Sequence, residues 1–313
     1  MAILVVGSVA FDSIQSPSGQ VERVLGGAAT HFALAASFFT EVQVIAVVGD
    51  DFTAKEESVF KARKIDTRGI ERVKGGKTFH WAGEYQSQDL NDAKTLATHL
   101  NVFEGFNPKI PPEYESAEFL FLANIDPVLQ ANVRRRMPKV KLVGGDTMNY
   151  WIHDHRSALD QVLRGLDILL INDAEARLLA DDRSLARAAN RILTMGPKAL
   201  VIKHGEYGAT IFFADGEFGG RSHPFRAPAL PIEEVVDPTG AGDSFAGGFM
   251  GYIASVTAEG TEVSPKALKK AMFYGGVMGS FAVEKFGTER LQHLTREQIE
   301  ARFEQFRRLS HLD

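Results

Sequence analysis

The 313-residue chain contains no cysteine. That excludes disulfides, thiol nucleophiles and cysteine-bound zinc or iron–sulfur centres, and it is compatible with a reducing compartment. Positive charge is not in surplus either: 35 Lys and Arg against 40 Asp and Glu leave a net charge of −5. A nucleic-acid surface is therefore not expected, and an anionic substrate would need a local positive patch. No apolar run approaches the ~18 residues a membrane span needs. The opening MAILVVGSVAF carries neither a basic segment nor a cleavage site. The expectation is a soluble, cytoplasmic protein whose partners include neither nucleic acid nor membrane. Internal repeats and low-complexity tracts are absent as well.

What is present is ordinary globular material. A hydrophobic fraction of 44% with 24% charged residues supports a sizeable core. The length suits one domain over 1–313 with a small accessory element. Short apolar runs at Ile3–Val6, Val42–Val48, Phe119–Ala123, Lys141–Gly144, Ile168–Ile171 and Leu200–Lys203 read as buried strands. Between them, Gly26–Phe39, a segment ending near Lys64, Pro127–Met137, Ser157–Arg164, Ala174–Ala180 and Ser184–Met195 read as helices. This alternation predicts an α/β fold: a central, mostly parallel sheet with helices on both faces. Two stretches, about 13–25 and 77–103, break it. The second holds TFHWAGEY and TLATHLNVF around a polar QSQDLNDAK, which reads as a loop between antiparallel strands. Together they predict a small β-lid made from two insertions. Thr295–Leu309 reads as a solvated C-terminal helix.

One stretch carries more than fold. VDPTGAGDSF, Val236 to Phe245, puts small residues between two acids where a helix begins. Phe245, Phe249, Tyr252, Ile253 and Val256 follow at helical spacing, so the turn is anchored on a core helix. Amides at a helix N-terminus have no intrahelical acceptor and sit at the positive end of the dipole. Gly240, Ala241 and Gly242 allow an anion close approach to those amides. Asp243 has two readings. An acid in the first turn is stabilising, worth roughly 0.3–1 kcal/mol. A carboxylate beside an anion hole can also accept the proton of an attacking hydroxyl. The stretch is neither a Walker A loop nor a GxGxxG turn.

DPTGAGDSF followed by AGGF resembles the second signature of the PfkB (ribokinase-like) carbohydrate kinases, and the resemblance extends over nearly the whole chain. Gly26-Gly27 opening a helix resembles the first signature, and Asp12 in GSVAFD matches the sugar-binding aspartate. Asn172-Asp173-Ala174-Glu175 matches an N-x-x-E motif, and Lys203-His204-Gly205-Glu206-Tyr207-Gly208 resembles the nucleotide loop. The resemblance implies transfer of the γ-phosphoryl group of ATP to a hydroxymethyl group. Asp243 would be the base, with anion-hole amides from Gly240, Ala241 and Gly242. It implies acceptor contacts at Asp12, Gly26, Gly27 and His31, and nucleotide contacts at Asn172, Lys203, Gly205, Gly208 and Gly275. Asn172 and Glu175 would organise Mg²⁺ through water, although an Asn cap with an acid three residues on is also a common helix start. Asp237 would lie beside a monovalent cation, K⁺, in members that use one. A homodimer through the lid is implied too.

Departures from the pattern bear on the acceptor. His31 stands where the family has an asparagine that binds a substrate hydroxyl. In Asp146-Thr147-Met148-Asn149-Tyr150-Trp151, Tyr150 stands where the family has an arginine. Arg134-Arg135-Arg136 reads as a solvated helix face, so no basic cluster favours a phosphosugar. Phe79 and Trp81 alternate onto one lid face with His80 on the other, and Tyr85 follows on the same strand. Lid aromatics could stack on a nucleobase or form a dimer core. The expected acceptor is a sugar or sugar-like alcohol, with a nucleoside as the alternative.

Overall fold

Continuous apolar runs leave no side for water, so they form the middle of a sheet covered on both faces. The computed structural model describes residues 1–86, 89–218, 223–257 and 263–310. From one edge to the other its main sheet runs β13 (Phe225–Ala227), β12 (Ala209–Phe213), β11 (Ala199–Lys203), β10 (Ile168–Asn172), β9 (Leu142–Gly145), β8 (Phe119–Leu122), β1 (Ala2–Val6), β4 (Glu41–Val48) and β5 (Asp66–Arg72). Pairings from β11 through β5 are parallel; only β12 and β13 are antiparallel additions. The expected α/β architecture is thus observed.

The helices are α1 (Ala28–Ala36), α2 (Ala54–Ala62), α3 (Pro127–Arg136), α4 (Asn149–Asp154), α5 (Arg156–Leu163), α6 (Asp173–Ala180), α7 (Leu185–Leu193), α8 (Ala241–Val256), α9 (Pro265–Ala282), α10 (Glu289–Gln292) and α11 (Arg296–Leu309). Strand β1 shows how they are divided. Ile3 and Val5 join one apolar layer with Phe32, Phe249 and Met278 of α1, α8 and α9. Leu4 and Val6 join the other with Val133, Leu159, Leu179 and Ile192 of α3, α5, α6 and α7. The α8 stripe is buried at Phe245, Phe249 and Ile253, but Val256 is 46% exposed. As the last residue of the helix it lies past the packed layer.

A second sheet has the order β3 (Gly19–Gly26), β2 (Ala10–Ser16), β6 (Phe79–Gln86) and β7 (Asp89–His99). It begins earlier than expected, because Ala10–Asp12 already pair with Val24–Gly26. It is also not wholly antiparallel: β2 and β6 run parallel. Each is the outgoing strand of its own hairpin, and the two hairpins meet along these strands. The polar QSQDLNDAK segment is mostly strand, since β7 starts at Asp89 and Gln86 pairs with Asp89; Ser87 and Gln88 lie outside the described residues. Its polarity is that of an edge strand, with Lys94 reaching Glu84 across the ladder at 3.9 Å.

Candidate active site

In an open α/β sheet the crevice forms at the carboxyl ends of the parallel strands. Three polar residues stand there side by side. Asp146 follows β9, Asn172 ends β10 and Lys203 ends β11, with Asn172 and Lys203 in register. Opposite them is the first turn of α8, with Asp243 its only acid.

The α8 turn is shaped by its small residues. Gly240 has φ 72, a left-handed conformation that an L side chain resists, and a Cβ there would meet the His31 ring at 2.3 Å. At Gly242 a Cβ would come within 2.8 Å of Lys203 Nζ, so the bare Cα leaves the ammonium its place beside the turn. Of the three expected anion-hole amides, that of Ala241 already donates to Pro238 O at 3.1 Å. Gly242 is at the second helical position, whose amide has no acceptor within the helix.

Asp12 points from β2 across Gly26: a Cβ on that glycine would lie 1.8 Å from the carboxylate. The Gly27 amide donates to this carboxylate. The glycine pair therefore seats an acid that is only 4% exposed. Burial, reinforced by Asp237, raises the Asp12 pKa to about 7, with Gly27 opposing. In-register neighbours in a sheet share a face, and Trp81 of β6 pairs with Asp12. The Trp81 indole lies over Gly83, and its Nε1 donates to Thr95 Oγ1 at 3.3 Å. Phe79 instead stacks on Phe103 at 5.3 Å. His80, on the opposite face, bonds Ser13 Oγ at 2.9 Å.

His31 is at the site but beneath it. Its ring is 1% exposed, packs against Gly240, and neither nitrogen has a partner. Burial pushes its pKa down to about 4, so the imidazole is neutral.

Lys203 is the cation facing Asp146, Glu175 and Asp243. Burial raises the Asp243 pKa to about 6, against the opposing pulls of Lys203, its own amide and a hydrogen bond from Asp146. Burial raises Asp146 further, with Asp243 adding to it. Burial also raises Glu175, with Lys203 opposing. Asn172 and Glu175 cap α6 reciprocally: Glu175 N donates to Asn172 Oδ1 and Asn172 N to Glu175 Oε2, both at 2.8 Å. The capping arrangement is therefore real, and any metal role must coexist with it.

The donor set suits a hard cation. Three acids face one lysine, and Asp146 Oδ1 is buried without a hydrogen-bond partner. Among the described residues, no three His, Asp or Glu side chains converge as a direct ligand shell. A cation that keeps much of its water, as Mg²⁺ does, fits such a site.

Other expected residues have structural duties. Asp237 is fully buried; Thr239 N donates to its Oδ1 at 2.8 Å and Gly287 N to its Oδ2 at 2.7 Å. It clamps the loop before α8 to the loop after α9. Gly205 and Gly208 flank the short turn joining β11 to β12, directly after Lys203. Gly275 faces the Phe245 ring, 3.0 Å from a Cβ placed there, and so belongs to the α8–α9 interface. Trp151 donates to Asn124 Oδ1 at 2.8 Å, while Tyr150 is half exposed. Sequence reasoning quoted Asp146 but did not select it; the signal was an acid directly after the buried run LVGG. Tyr85 meeting Thr239 had no local signal.

The chain matches the family described as "pfkB family carbohydrate kinase" over residues 2–293. It is 31% identical to a cytidine kinase of Thermococcus kodakarensis over 281 residues, 86% of this chain and 96% of that protein. It is 25% identical to a nucleoside kinase of Methanothermobacter thermautotrophicus over 318 residues, 92% of this chain and 91% of that protein. Its fold resembles a nucleoside kinase of Burkholderia thailandensis solved in complex with ADP and inosine, with TM-score 0.75, 21% identity and coverage of 97% and 95% of the two chains.

Proposed function

The chain belongs to the pfkB family of carbohydrate kinases, phosphotransferases with an alcohol acceptor, and from that premise we propose that it phosphorylates the hydroxymethyl group of a nucleoside at the expense of ATP. The observation that carries the chemistry is Asp243 in the first turn of α8, next to the left-handed Gly240 and facing Lys203. The nucleoside reading is supported by Trp81, in register with Asp12 on one sheet face, and by relatives named for nucleosides.

Asp12 accepts hydrogen bonds from acceptor hydroxyls. Asp243 takes the hydroxymethyl proton as the oxygen bonds to the γ-phosphorus and ADP leaves, a role worth about 10²–10⁴-fold. The amides of Gly240 and Gly242 and the Lys203 ammonium lie where charge on the moving phosphoryl group is held, the larger part of such catalysis. Asp146, Asn172 and Glu175 would hold Mg²⁺ through water, where it would offset phosphate charge. K⁺ beside Asp237 enters this reading through loop carbonyls, with each carboxylate oxygen also accepting one backbone amide. The small sheet acts as a lid that excludes water. A homodimer through that lid is supported by exposed Leu96 and Leu100 near its outer strand. The reading places the reaction in the cytoplasm.

The test is ADP formation from Mg·ATP with cytidine, adenosine, inosine, ribose, fructose and phosphosugars as acceptors. Turnover with nucleosides at least tenfold above the free sugars is expected. Turnover confined to free sugars would replace the acceptor, and none with any alcohol would remove the reading.

A further inference from the structure

Tyr85 of β6 is buried, 9% exposed, although it sits near the end of a lid strand. Thr239 Oγ1 donates to its hydroxyl oxygen at 3.1 Å, joining residues 154 apart in sequence. Thr239 directly precedes Gly240, and its amide is already fixed on Asp237 Oδ1. The turn is thus held by its backbone from one side, by its side chain from the other, and by the His31 ring underneath. Alternation puts Tyr85 on the lid face that also carries Trp81 and Asp12. The β2–β3 hairpin reinforces the link. Ser16 Oγ donates to Val236 O at 2.6 Å and Ser18 Oγ to Val235 O at 3.1 Å, just ahead of the same turn.

We infer that Tyr85 is a positioning residue that couples the lid to the anion-hole turn through Thr239, so that docking the lid and setting the Gly240 turn are one event. The inference rests on the kinase reading above. Asp12, Asp237 and Asp243 face the phenol, and burial with these acids raises its pKa, so the hydroxyl stays protonated throughout the working range. Its contribution is therefore geometric and independent of pH. A hydrogen bond of this kind holds a preorganised turn without touching the acceptor, so its loss falls on kcat and leaves acceptor affinity unchanged.

The experiment compares Tyr85→Phe, Thr239→Val, the double variant and Thr239→Ser by steady-state kinetics, with thermal unfolding as a control. Each of the first two is expected to lower kcat about three- to tenfold, with acceptor KM within about twofold of the parent. The double variant should be no worse than either single one, and Thr239→Ser, which keeps the hydroxyl, should restore kcat. A raised acceptor KM with kcat intact would make Tyr85 an acceptor contact and overturn the inference. Multiplicative losses in the double variant, or no loss in Tyr85→Phe, would overturn it equally. Absence of turnover in the parent protein is a separate result, which removes the kinase reading itself.

Discussion

Replacing Asp12 by asparagine should make the protein more stable, by an amount that grows as pH rises from 3.8 to about 7. The carboxyl is 4% exposed and titrates near about 7 instead of 3.8. At about 1.36 kcal/mol for each factor of ten in proton affinity, the ionised form costs the fold on the order of 4 kcal/mol. The sign follows from proton counting. Between 3.8 and about 7 the folded protein holds a proton that the unfolded chain has released. Stability therefore falls as pH rises through that window and levels off above it. Asp12→Asn removes the titration while its side-chain oxygen can still accept from the Gly27 amide. With an unfolding entropy of about 2.1 cal/mol/K per residue, 3–4 kcal/mol in a chain of this size is roughly a 5 °C rise in Tm. Calorimetry at pH 8 should show that gain, calorimetry at pH 4.5 roughly a quarter of it, and acceptor turnover should collapse in the variant. Equal stability at pH 8, or a gain independent of pH, would refute the argument that burial of this acid is a cost accepted for binding.

Two further outcomes follow from the same site. Asp243 must be ionised to take a proton, so kcat/KM should fall as pH drops through about 6. Lys203→Met, which removes the cation that opposes burial there, should move that limb upward in a pH–rate profile; an unmoved limb would place Lys203 outside the base's environment. Glu175→Gln keeps an acceptor for the Asn172 amide, so Tm should stay within about 1 °C, since a capping box survives the change. Its Mg²⁺ requirement should nevertheless rise about tenfold or more. An unchanged magnesium titration would leave Glu175 with the cap alone.

The inner strands of the central sheet were legible because they are short and almost wholly apolar, and because helical spacing intervenes between them; the edge strands β5 and β13, which carry charged residues, were not. The α8 turn was legible for a different reason: small residues bracketed by two acids are an unusual way to begin a core helix. What escaped the sequence depends on contacts between distant segments. Nothing local says that β2 and β6 lie side by side and parallel, or that a polar stretch such as QSQDLNDAK is an edge strand. His31 was recognised by position, yet its burial under Gly240 follows from how α1 packs on α8. Gly275 was expected near the nucleotide from the family resemblance, with close helix packing as the other explanation of its small-residue run; that packing against Phe245 is present. Asp237 was expected beside a monovalent cation, and nothing local says that its carboxylate clamps its loop to Gly287, 50 residues on. Asp146 drew attention as part of a longer pattern, and only the register of β9 beside β10 brings it to Asp243.

The proposed phosphoryl transfer depends most directly on Asp243. The decisive measurement is single-turnover phosphoryl transfer to the best acceptor by the parent and by Asp243→Asn, alongside Mg·ATP affinity for both. ATP affinity within about threefold and a transfer rate reduced at least ~10²-fold is the predicted result. Transfer within threefold of the parent would contradict the assignment of Asp243 as the base, and with it the mechanism built around the α8 turn.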